Sequence, residues 1–408
     1  MTTFFAYADL TWPEVYALPR HTPLVIPLGN GYPLDRLAYA VGARPLGDPD
    51  QGGGTPIGML SPVPYGWADN RPGKVTLRVA EPLLGAMLAG LVDSLRDDSF
   101  SRVYALTPQG IDLGSGIERI VLPQKEKSHP FDKNLTSEDR GKVVLIPVGH
   151  TEQHGYHLPM SVDTLIIEAI SQGVARRIPD QAVTLPVMPY GVSTHRRSFA
   201  GTLNVGGRAF EDFWLGLVDV LVAQGFDRFF FLSGHGGNCS FLTNVVKYAG
   251  ERHRRIFCAT TFLYLSSPQG AAALEKHRRS TLGGMGHACE LETSFILHLR
   301  PDLVSMERVV DETDFIATPS YSMDWVETGA LIANPPWDDD TKTGAYGAGS
   351  LAAAENGKIW LEAAIAEKVA QVAEIHEQHR RREARRNSGY GLWGNAARPP
   401  STDQCGDE

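Results

Sequence analysis

From about Val143 to Arg300, short apolar runs alternate with amphipathic stretches, the rhythm of strand and helix in an α/β fold. "KVVLIPVG" (142–149) is apolar enough to be a strand buried on both faces, whereas "DTLIIEAISQGVARRI" (163–178) repeats its apolar residues at helical spacing. "AVTLPVMPYG" (182–191) predicts the next strand, closed by a turn of Pro and Gly. "RAFEDFWLGLVDVLVAQGF" (208–226) predicts an amphipathic helix that ends at Gly225, and "DRFFFLSGHGGN" (227–238) a strand running into a glycine-rich loop. "RIFCATTFLYL" predicts a further strand, and "HACELETSFILHLRPDLV" a helix stopped by Pro301.

The first 120 residues echo this pattern. "LVIPLGNGYPLD" (24–35) resembles "VLIPVGHTEQHGYHLPMSVD" (144–163), and "SPVPYG" (61–66) resembles "PVMPYG" (186–191). "GLVDSLRDDSFSRVYALTPQG" lies without gaps over "GLVDVLVAQGFDRFFFLSGHG". Three echoes in one order predict an internal duplication. The first copy lacks the block Thr151 to His154, and has Gln109 where the second has His235. If those polar residues served the fold, the first copy would need them too.

The expected organisation is a first unit over 1–123, a charged, turn-rich linker over 124–142, a second unit over 143–378 and a mobile tail over 379–408. The chain has 408 residues and a formal net charge of −9, which argues against nucleic acid or an anionic membrane surface as partner. No apolar run is long enough to span a bilayer, and the sequence starts without a signal-like segment, so a cytoplasmic protein acting on a small molecule is expected. Four irregularly spaced cysteines suggest neither a disulfide framework nor a zinc ribbon.

Ligand-type side chains come from separate segments, each at or just beyond the C-terminal end of an expected strand, where open α/β sheets build their sites. Glu152 and His154 are two apart in an extended loop, Asp163 opens a helix, His235 stands among glycines, and Glu290 adds a carboxylate from later in the chain. Two histidines and three carboxylates suit zinc, manganese or ferrous iron. A carboxylate shared between two ions, for which Asp163 is the candidate, would clamp an oxyanion and generate hydroxide near neutral pH.

"PVGHTEQHGYHLP" followed by Asp163, "PYGVSTHRRSFAGT", "SGHGGN" and "HACELETS", in this order, resemble the creatininase (creatinine amidohydrolase) family over roughly 140 to 375. The resemblance implies a three-layer αβα fold with a mainly parallel sheet, here duplicated with a degenerate first copy, and a binuclear hydrolase site. It places Glu152, Asp163 and His235 around one metal and His154 and Asp163 around the other. Gly237 stands where creatininase has its last carboxylate, so Glu290 is the expected replacement, and Gly236 replaces a neighbouring aromatic, which argues against creatinine itself as substrate. His287 matches the family histidine that delivers a proton to the leaving nitrogen, with Glu290 beside it in the catalytic set.

His195, Arg196, Trp325 and Trp337 are expected to line the substrate pocket, and His157 to pack beside the site. The implied activity is hydrolysis of a small cyclic amide, lactam or creatinine-like, by hydroxide bridging two divalent ions, zinc first, with manganese or iron as alternatives. Formamide or open-chain amide hydrolysis, peptide trimming, and a catalytically silent scaffold are the other readings. A homo-oligomer, trimer or hexamer, is the implied assembly.

Overall fold

The computed structural model of the chain describes residues 3–42, 56–67, 75–124, 135–194, 198–325 and 331–388. The first sheet contains β1 (Phe4–Ala6), β2 (Leu24–Pro27), β3 (Ile57–Met59), β4 (Val103–Thr107) and β5 (Arg119–Val121). Its connections carry α1 (Trp12–Ala17), α2 (Leu34–Ala40) and α3 (Glu81–Asp97). The second sheet contains β6 (Val143–Val148), β7 (Ala182–Thr184), β8 (Arg228–Ser233) and β9 (Phe257–Thr261), with α4 (Val162–Arg177), α5 (Gly207–Ala223) and α6 (Gly236–Arg252) between them. Beyond β9 come α7 (Pro268–His277), β10 (Met285–His287), α8 (Glu290–Leu299), β11 (Tyr346–Gly347) and α9 (Ala354–Asn387).

Both main sheets are parallel, ordered β1-β3-β2-β4-β5 and β7-β6-β8-β9, while β10 and β11 pair antiparallel. Their registers agree wherever the sequence echoes predict it. Ile26 pairs with Ala105 as Ile146 pairs with Phe231, and Val25 pairs with Met59 as Leu145 pairs with Thr184. The isolated bridge Leu28 to Val63 is matched by Val148 to Met188.

Alternation along each parallel strand separates the cores, because successive side chains leave opposite faces. Val144 and Ile146 of β6 join α3, α5, α6 and the β2 residues Leu24 and Ile26 in one core shared by both sheets. Val143 and Leu145 instead pack under α4, α8 and α9. The second sheet therefore has helices on both faces, the expected three layers, and α3 and α5 lie between the two sheets. Gly90 of α3 approaches the Val205 carbonyl so closely that no β-carbon would fit.

One expectation is corrected. The glycine-rich loop after β8 is the first turn of α6, whose buried Leu242, Val245 and Ala249 recur at helical spacing. The segment from 379, expected to begin as the basic end of a helix and to continue as a mobile tail, is helical through Asn387, with Glu377 paired to Arg380 and Arg381 and Glu383 to Arg255 and Arg386, and 389–408 lie outside the described residues. Within the expected linker, Thr136 caps a short 3-10 turn over Ser137–Asp139, and 125–134 lie outside the described residues.

Candidate metal centre

The C-terminal edge of the second sheet gathers the polar residues. β6 leads into Glu152 and His154, Asp163 lies in the first turn of α4, His235 caps α6 after β8, and His287 ends β10. All five are buried, as is Glu292 of α8. His235 Nδ1 lies 2.9 Å from Glu152 Oε1 and 3.3 Å from Asp163 Oδ2. His154 Nε2 lies 3.3 Å from Asp163 Oδ1 and 3.9 Å from Glu292 Oε1. The two Asp163 oxygens thus face different histidines.

Each histidine is oriented by a main-chain carbonyl behind it, the arrangement that fixes the tautomer of a metal-binding imidazole. His154 Nδ1 donates to Glu152 O at 3.1 Å, leaving the Nε2 lone pair toward Asp163. His235 Nε2 donates to Val192 O at 3.0 Å, leaving Nδ1 toward Glu152. His287 Nε2 donates to Gln153 O at 2.7 Å, leaving Nδ1 at 3.7 Å from Glu152 Oε1. Three imidazole lone pairs and three carboxylates therefore share one buried space.

Their charge states follow from that crowding. Burial disfavours charge on His154, but Asp163, Glu292 and Glu152 more than offset it and lift the imidazole to about 9. Burial opposes protonation of His235 as well, and Glu152 and Asp163 hold it well above the usual histidine range. Burial and the Asp163 and Glu152 charges push the Glu292 carboxyl up to about 7, against the opposing pull of His154. Asp163 goes the other way: burial would raise it, yet the imidazoles of His154 and His235 hold it well below the carboxylate range. His287 is depressed by burial and by the neighbouring His154 charge. The same carboxylate charges that raise His154 and His235 would favour a cation held between them.

The donor set fits two divalent cations. His154 Nε2 and Asp163 Oδ2 are buried and have only the 3.3 Å contacts above in place of a well-aligned hydrogen bond, which is costly for an apolar interior but ordinary for ligand atoms aimed at an ion. The donor atoms of His154, Asp163 and Glu292 lie within 4.8 Å of one another, as do those of Glu152, His154 and His287, while Glu152 Oε1 and Asp163 Oδ2 both face His235 Nδ1. His150 also lies within ligand distance of Glu152 and His235. Its Nδ1 accepts the Gly191 N–H at 3.0 Å, so the neutral ring carries its hydrogen on Nε2, and it stacks on His235 with centroids 4.3 Å apart. It braces the ligand.

Glu290 is corrected as a ligand. Its carboxylate accepts the backbone N–H groups of Arg279 at 2.9 Å and Ser280 at 2.7 Å, away from the cluster. Residues two apart on a helix are separated by about 200°, so Glu290 and Glu292 leave opposite sides of α8. Glu292 Oε2 accepts the Ala288 N–H at 2.6 Å, which fixes the carboxylate whose other oxygen faces His154. The "ELETS" segment also carries Glu292, which the sequence reading did not single out, and helical phase is what turns it toward the cluster.

Above the cluster lies a cavity of about 570 Å³, lined by Phe241, Phe262, Met285, Trp325, Ile332 and Trp337 among others. Trp337 meets the His287 ring edge-on with centroids 4.7 Å apart, and Trp325 stacks on Tyr264 at 5.3 Å. His195 and Arg196, expected at this pocket, lie outside the described residues. His157 bonds Thr293 Oγ1 at 2.9 Å and packs beside the site as expected. Sequence reasoning missed Asn238, whose side chain accepts Val192 N–H and donates to Gly149 O, thereby holding the carbonyl behind His235.

Residues 133–372, more than half of the chain, match the family described as "Creatininase: Creatinine amidohydrolase", and the chain belongs to that family. It is 33% identical over 173 residues to the mycofactocin precursor peptide peptidase of Mycobacterium ulcerans (strain Agy99), covering 41% of this chain and 62% of that protein, less than two thirds of its length. It is 28% identical over 236 residues to the creatinine amidohydrolase of Pseudomonas putida, covering 55% of this chain and 85% of that one. A solved structure titled "Creatininase Mn" aligns with a TM-score of 0.48 and 25% identity over 58% of this chain and 92% of that chain.

Proposed function

We propose that the chain is an amidohydrolase that cleaves the C–N bond of a small cyclic amide, with Glu152, His154, Asp163, His235 and Glu292 holding two divalent cations. The observation that carries this reading is Asp163, whose two oxygens each lie 3.3 Å from a different, independently oriented histidine. Zinc suits the set of imidazoles and carboxylates, with manganese and ferrous iron as alternatives. Such a pair supplies the Lewis acidity that amide hydrolysis needs at neutral pH.

The protein's own part is positioning and proton transfer. With Nε2–H committed to Gln153 O, His287 can take up and deliver a proton only at Nδ1, the atom facing the cluster. Its depressed basicity makes the bound proton easy to release to a departing nitrogen. Trp337 limits rotation of the ring.

A second reading, hydrolysis of a formamide or another open-chain amide, is supported by the cavity. A volume of about 570 Å³ with aromatic walls takes a substituent much larger than a five-membered lactam. The similarity to a precursor-peptide peptidase points the same way. We also propose that the first unit is a degenerate copy of the second, in line with the shared strand order and register. In it, Tyr32 and Gln124 bond Leu28 O, and the Trp67 ring lies over Gly29 where the second unit opens toward its ligands. Trimeric or hexameric assembly belongs to the same proposal, and native mass spectrometry tests it.

The functional test is metal content by mass spectrometry on protein purified without chelator, followed by a screen of lactams, formamides and short peptides. Near two ions per chain and turnover of one substrate class, both lost in His235→Ala, are expected. No ion after incubation with zinc, manganese or ferrous iron would overturn the reading in favour of a scaffold.

A further inference from the structure

We propose that Trp12, supplied by the N-terminal unit, is a positioning residue for His287, so that the unit without ligands completes the site of the other. The inference rests on the functional reading above and on a short chain of hydrogen bonds. Trp12 Nε1 donates to Thr343 O at 2.8 Å. The next carbonyl, Gly344 O, accepts Gln153 Nε2 at 2.9 Å. Gln153 O in turn accepts His287 Nε2 at 2.7 Å.

The members of this chain have little freedom to rearrange. Gln153 Oε1 accepts the Gly155 N–H at 2.9 Å, so the amide orientation is set from both ends. Gly344 has φ +88°, and the Gln153 side chain fills the space its β-carbon would take. On its other side the Thr343 backbone N–H is held by Glu312 at 3.0 Å, leaving the segment suspended between Glu312 and Trp12.

Trp12 is itself fixed from several directions. It opens α1 behind Thr11, which with Glu14 forms a capping box. Its ring contacts Tyr156 and Phe199 of the second unit, with centroids 5.4 Å and 5.2 Å away. Leu10 O accepts Met160 N–H at 2.9 Å, in the loop that carries Glu152 and His154. The start of α1 is thus clamped to two stretches that shape the centre, 153–160 and 341–344. Small misplacements of a proton-transfer group are expensive in rate, so a bond two steps from His287 has leverage on turnover.

The test uses Trp12→Phe in the full-length protein, which retains a ring against Tyr156 and Phe199 but deletes the N–H. In the metal-free protein the His287 imidazole ¹⁵N and ¹H resonances are expected to move while those of the distant His253 stay. In the metal-loaded protein kcat is expected to fall roughly ten-fold with KM, metal content and melting temperature little changed. Unmoved His287 resonances would overturn the proposal, as would a loss of activity that merely follows lost metal or lost stability. If the parent protein hydrolyses no amide, the functional reading fails, and the resonance comparison still decides the role of Trp12.

Discussion

Glu290 and Glu292 stand two positions apart on α8 and serve different ends: Glu290 binds the backbone N–H groups of Arg279 and Ser280, while Glu292 faces His154 at 3.9 Å. Their neutral variants separate metal binding from stability. Glu292→Gln is expected to lower metal content from near two ions to near one per chain with little change in the melting temperature of the chelated protein. Glu290→Gln is expected to retain both ions and to cost about 1–2 kcal/mol, since two buried N–H groups lose a charged acceptor. Metal analysis beside thermal melts checks both.

The chelated protein should lose stability as pH rises from about 6.5 to 9. His154 has its folded value raised to about 9, so its contribution is fully present below the ordinary histidine value and lost as pH climbs through 9. Glu292, raised to about 7, acts with the same sign: its preference for the protonated form favours the fold at low pH and is spent by neutrality. Asp163, held low, contributes in the opposite direction only at acid pH. Two bound cations replace those protons, so the metal-loaded protein should show a much flatter profile over this range, and apparent metal affinity should increase with pH. Melting curves across pH with and without chelator test this; a chelated protein whose stability rises with pH would contradict it.

Asp324 and Arg278 form a pair at 2.7 Å, and Asp324 also accepts the Gly283 and Met285 N–H groups at the start of β10. Asp324→Ala leaves the half-buried Arg278 guanidinium with only the Ser280 and Thr281 carbonyls and takes the acceptor from the Gly283 and Met285 N–H groups, and a loss of about 2–3 kcal/mol is expected. Because β10 ends at His287, residual activity at low temperature should fall too. Chemical denaturation and kinetics on the same preparation measure the two effects.

Trp325→Ala should raise KM roughly ten-fold for an amide carrying an aromatic substituent and leave a small lactam nearly unaffected, since the lost wall area matters only to a ligand that reaches it. Equal effects on both substrates would remove Trp325 from the binding wall.

Placing a histidine at position 109 of the first unit should not create a metal site. Gln109→His is expected to leave metal content at about two ions per chain. Tyr32, Gln124 and Trp67 occupy the strand ends where further ligands would have to enter. A third bound ion in the variant would show that the first unit can hold a metal.

The amino-acid sequence by itself determined β6 to β9, the helices α4, α5 and α8, the internal echo, and four of the five proposed ligands: Glu152, His154, Asp163 and His235. Those features are local: a parallel strand buried on both faces must be continuously apolar, and Glu152 and His154 reach the site from one short loop after β6. The choice of Glu292 over Glu290 was left to tertiary structure, because it depends on the rotation of α8 about its own axis, which packing against α4 and α9 sets. The same holds for His150, Asn238 and Trp12. Their partners are distant in sequence, and only the folded chain brings an indole from the first unit to the carbonyl of Thr343.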